Sequence, residues 1–164
     1  MRQRARRSAH PLDDMSESSA ESKVQSDIVE FGWHCLHVLP REGDDHAPFT
    51  YTIGFTETFG HPEIAIFGLK RETTHAILAD CATDIRAGTR YVTDVPLSGV
   101  LGGDVQVKFK RVRDDCIPEY FGTATRHYGG TKFEVWVMFW PNKEGLFPGQ
   151  GFDSSLQTEA LNVV

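Results

Sequence analysis

No CxxC pair occurs among the three cysteines, Cys35, Cys81 and Cys116, which are odd in number and far apart. Neither a structural zinc site nor a disulfide framework is therefore indicated, and the three read as reduced, buried thiols of a cytoplasmic protein. No stretch approaches the roughly eighteen apolar residues that a membrane-spanning helix needs. HExxH, G-x-S-x-G, a phosphate-cradling glycine–lysine loop and a dinucleotide fingerprint are all missing, which removes the local signatures of the common hydrolases and nucleotide enzymes and leaves the cofactor unknown. A dense basic face is lacking too. The net charge is −6, so a nucleic acid is not the expected partner.

What is present suits one globular domain. The chain has 164 residues, of which 40% are apolar and 24% charged, enough for a real core. Its positive charge is uneven: "MRQRARRSAH" carries four arginines and no acid, so a +4 head precedes a body at −10. Met15 opens "MSESSAESK" in the manner of a protein start, and we expect translation to begin there. Residues 1–20 are nearly devoid of apolar side chains and are expected to be disordered.

The remainder reads as strands and helices in the order αβββαβαβ. Val24, Ile28 and Phe31 recur at helical spacing before Gly32. "WHCLHVLP" reads as a strand, in a hairpin with "PFTYTIGFT". In the second strand Phe49, Tyr51, Ile53 and Phe55 face one way, and Thr50, Thr52 and Thr56 face the other, expected to be the solvent side. "EIAIFGL" is apolar on both faces and predicts an interior strand. "RETTHAILADCATDIRAG" is an amphipathic helix stopped by Gly88. "DVQVKFKRV" alternates again, and "CIPEYFGTATRHYGG" holds a short helix ending near Gly129. "KFEVWVMFWP" puts Phe133, Val135, Val137 and Phe139 on one face and Trp136, Met138 and Trp140 on the other, as a strand covered on both sides must. The expected architecture is a single α+β domain over residues 21–153, a largely antiparallel mixed β-sheet with two to three helices packed on it. Residues 154–164 read as a flexible tail.

"GWHCLHVLP", "FTYTIGFTETFGHPEIAIFGL", "HAILADCATDIRAG" and "YGGTKFEVWVMFWPNKEGLFPGQGFD", in that order, resemble the bacterial domain of unknown function 4262 family. The resemblance runs from about Gly32 to Asp153. Its most specific pieces are "YTIGFT…FGHPE" and "W-P-x-x-x-G-x-F-P". Members tend to carry an aspartate after "WP" and a tryptophan after "FP", where this chain has Asn142 and Gly149. The resemblance implies the domain limits and no established activity.

Histidine is the side chain poised to titrate near neutral pH. His61 sits in "GHPE", where Pro62 keeps it out of the helical region. Extended backbone would put Glu63 on its face, as a general-base pair requires. The plainer alternative is a turn-capping histidine beside a solvated glutamate. His75 starts the amphipathic helix, and a His61–His75 pair across the strand-to-helix link, with Glu63, forms the catalytic candidate. His34 and His37, three apart on a strand, fall on opposite faces and do not chelate one metal, so no metal site is assigned. Candidate ligand contacts are Tyr51, Thr52, His37, Tyr128 and Trp140, because aromatic residues with a polar handle suit a pocket. The expected function is a non-enzymatic binding module in a regulatory or defence setting, holding a protein partner or small ligand, with a homodimer open. The alternative is a small hydrolytic or metal-assisted enzyme with a histidine-centred pocket.

Overall fold

Five strands, β1 (His34–Val38), β2 (Phe49–Ile53), β3 (Glu63–Phe67), β4 (Lys108–Arg111) and β5 (Val135–Phe139), form one mixed sheet in the order β1-β2-β3-β5-β4. β1/β2, β2/β3 and β4/β5 are antiparallel, and only β3/β5 is parallel. In this computed structural model, residues 11–44, 46–151 and 156–164 are described, the side chains of 11–17 excepted. The arginine-rich head therefore lies outside the described residues. The architecture is the α+β domain with a mixed sheet that the sequence predicts. Among the described residues it carries six helices rather than two or three, four of them only four to seven residues long.

The sheet separates two cores. One holds Tyr51, Ile53, Val135, Val137 and Phe139 beneath α1 (Pro11–Phe31), α4 (Ile117–Tyr120), α5 (Gly122–Tyr128) and α6 (Thr158–Leu161). The other holds Ile64, Ile66, Phe109 and Met138 beneath α2 (Phe55–Phe59), α3 (Arg71–Arg86) and residues 91–107. The alternation of "KFEVWVMFWP" maps onto these two cores residue by residue. Buried on both faces, β3 is apolar throughout except for Glu63.

Two expectations are corrected. The second strand stops at Ile53. Gly54 takes φ +114°, the chain turns into α2, and Phe55 crosses to the opposite core. The threonine face is not solvated: α3 covers it, leaving Thr50 3% and Thr52 0% exposed. Residues 11–20 form part of α1 (Pro11–Phe31). The tail packs as well, because its apolar groups complete a core. Ala160 and Val163 are buried, the Gln157 amide hydrogen-bonds both the N–H and the C=O of Trp140, and Arg113 N–H donates to the Val163 carbonyl.

Gly54 is required twice over. A Cβ there would lie 2.8 Å from the Gly32 carbonyl oxygen and 2.9 Å from Trp33 Cα, on a backbone that L-residues rarely adopt. Gly60, at φ +64°, has nothing within 4 Å of a Cβ. Gly60→Ala is expected to cost about 1 kcal/mol and Gly54→Ala about 3 kcal/mol. Urea denaturation of the two variants checks the ranking.

Candidate functional site

"GHPE" follows α2 rather than joining two strands directly. Gly60 caps that helix in the left-handed region, and His61 then turns inward until it is 2% exposed. Its ring stands edge-on to Tyr91 and Trp136, with centroids at 5.6 and 5.4 Å. Nδ1–H donates to the Pro62 carbonyl at 2.8 Å, which leaves Nε2 as the bare nitrogen. Nε2 is buried without a hydrogen-bond partner among the described residues. Burial, helped by nearby Arg90, pushes the His61 pKa below its ordinary value.

Glu63 is fully buried beneath the turn from β2 into α2. Its Oε2 accepts from Thr52 Oγ1 at 2.6 Å and from Phe55 N–H at 3.2 Å. Its Oε1 accepts from Gly54 N–H and Thr56 N–H, both at 3.1 Å, and from the Tyr128 hydroxyl. Burial raises the Glu63 pKa against these donors. A carboxylate filled in this way clamps the β2–α2 turn to β3 and α5. Thr52, Glu63 and Tyr128 thus come together as a structural knot. Tyr51 stands in the first core with its phenol pushed up to about 12 by burial. Trp140 packs on the second core.

His75 lies elsewhere. It stacks on Trp33 at 6.0 Å, and Trp33 packs on Phe55, which in turn packs on His61. The rings of Phe55 and Trp33 therefore link the imidazoles of His61 and His75, and Glu63 is bonded to Thr52, Gly54, Phe55, Thr56 and Tyr128 rather than to either imidazole, so the three form no single constellation. Among the described residues no group of three or more His, Cys, Asp or Glu is placed to hold a metal.

What His75 does line is a groove of about 680 Å³ along the outer side of β1, within the range of ligand sites. Trp33, His34, Cys35 and His37 form its floor. One wall is Lys23, Asp27 and Phe31 of α1, and the other is Arg71, Glu72 and His75 of α3. On the α1 side the polar groups satisfy one another. His34 Nδ1–H donates to Asp27 at 2.7 Å, and Lys23 holds the other carboxylate oxygen at 2.5 Å. Burial opposes ionisation of Asp27, but these two partners hold its carboxyl below the usual range.

The α3 side is less satisfied. His37 Nδ1 bonds Thr50 Oγ1 at 2.8 Å, and its Nε2 is 3.7 Å from Cys35 Sγ. Burial first, and then the Arg71 charge, lower the His37 pKa. Burial pushes the Cys35 thiol up to about 12, which keeps it protonated. Arg71 makes no ion pair among the described residues. Of the sequence candidates only His37 and His75 meet here. Asp27, Trp33, Arg71 and Glu72 were not foreseen, since their convergence depends on three elements distant in sequence. The one local hint was the density of "WHCLH".

The fold and groove define a small α+β domain with a cleft at the edge of its sheet. A family model described as a domain of unknown function (DUF4262) matches residues 27–152, and the chain belongs to that family. No curated protein and no solved structure matches it. Among the described residues no helix is long and apolar enough to cross a membrane.

Two outcomes follow from the buried groups. In Glu63→Gln, either orientation of the introduced amide sets an N–H₂ against a fixed backbone N–H, so urea denaturation should show a loss of about 2 kcal/mol. His61 loses protons more readily folded than unfolded. Its contribution is therefore constant above its ordinary pKa of 6.5 and is lost as pH falls below that, where the unfolded chain takes up a proton that the fold excludes. Melting temperatures measured from pH 7.5 to 5 should fall less steeply for His61→Phe than for the wild type.

Proposed function

We propose that this protein is a non-enzymatic binding module, holding a small ligand or a segment of a protein partner in the groove between α1, β1 and α3. The observation that carries the reading is the groove itself: ligand-sized, floored by Trp33 and imidazoles, and carrying in Arg71 a guanidinium with no ion pair among the described residues. Such a site supplies an aromatic platform, hydrogen-bonding imidazoles and an unpaired guanidinium beside the Glu72 carboxylate, which suits recognition.

The chemistry around the groove favours binding over turnover. Its one thiol, Cys35, is held protonated. Glu63, the carboxylate nearest in sequence to His61, is occupied by five donors. His61 is buried edge-on to the rings of Tyr91 and Trp136.

Native mass spectrometry of chain purified from its own host tests the proposal. A retained non-covalent mass is expected, and it should be lost in Arg71→Ala. Because Arg71 is exposed, the ligand-free variant should melt within about 2 °C of the wild type. A clean ligand-free mass for the wild type, with no shift in melting temperature on adding host cell extract, overturns the reading.

A further inference from the structure

The two edges of the sheet are treated differently. β4, at one end of the strand order, spells "KFKR", so three of its four residues are basic. It is also covered, by bridges from Thr93 to Phe109 and from Leu97 to Val107. Charge and cover are the usual protections of an exposed edge. β1, at the other end, spells "HCLHV", with no lysine, arginine, acid or proline. Its register with β2 is continuous over all five residues, without a bulge. No hydrogen bond among the described residues reaches its outer backbone edge. The groove runs along that bare edge, and exposed Phe31 and Leu39 flank it.

We infer that the groove's occupant is an extended peptide segment of a partner protein, which adds to β1 as a sixth strand. This rests on the reading of the groove as a binding site. A row of unpaired backbone donors and acceptors is matched by another strand, and five residues, about 17 Å, is an ordinary length for such pairing. Side chains of an added strand alternate between the two walls. Those on the α3 side meet Arg71 and Glu72, neither of which makes an ion pair among the described residues. Those on the α1 side meet a Lys23–Asp27–His34 set already neutralised within itself, beside Phe31. The complementary segment therefore carries a carboxylate on the α3 side, placed against Arg71 and away from Glu72, and apolar residues on the alternate positions that face Phe31.

Selection of a random nonapeptide display library on the full chain, followed by fluorescence anisotropy of the enriched peptides, tests this. A carboxylate on one face, with apolar residues on the alternate positions, is expected. N-methylation of alternate backbone nitrogens should cost at least tenfold in affinity in one phase and little in the other. Arg71→Glu should weaken the selected peptides at least tenfold and shift a new selection toward basic residues. Equal effects of both methylation phases, or selected peptides indifferent to Arg71→Glu, overturn the inference. So does a stable dimer with protected His34–Val38 amides, which would assign the edge to a second copy. If no peptide binds while a small molecule is retained on native mass spectrometry, strand addition fails and the groove reading stands. If neither binds, both fail.

Discussion

A carboxylate shut away from water must have its charge met by neighbours, and Glu63 has five donors arranged around it. Three are backbone N–H groups, contributed as the chain leaves β2 and begins α2. The others are the hydroxyls of Thr52 and Tyr128, from β2 and α5. One side chain thus fixes where β2 ends, the direction in which α2 sets off and the position of α5 over the first core. The rest of the sheet is built outward from that point, since β3 carries Glu63 and lies between β2 and β5.

The same knot determines what the second core becomes. Once the chain turns at Gly54, Phe55 passes to the far face, and α2 and the following turn carry His61 in behind it. Phe55 then supports Trp33, and Trp33 supports His75 at the lip of the groove. The turn that Glu63 holds and the groove at the edge of the sheet are therefore linked through packed rings rather than by direct contact.

The sheet was legible in the sequence wherever a strand alternates or is apolar throughout, as β3 and β5 are, because the period of two is a property of the backbone alone. β2 was legible only to Ile53. Gly54 is the mark of its end, but a glycine inside an alternating run fits a continuing strand equally well, and only Glu63, further along the chain, decides the matter. Beyond Gly151 no periodic signal is present, although Ala160 and Val163 are buried, because one short helical turn is too brief to establish one. The groove was least legible. Its lining comes from positions 23–37 and 71–75, and their convergence is a matter of helix placement, which residue spacing does not encode.

Unequal edges also set a rule for assembly. A sheet that can be extended from either side has no natural end point and can propagate, whereas one with a single receptive side is complete after one addition. With Lys108, Lys110 and Arg111 guarding β4 and the 93–97 segment lying across its end, growth from that side is closed. Addition at β1 therefore leaves the opposite edge of this sheet closed, so the chain itself does not pass the growth on.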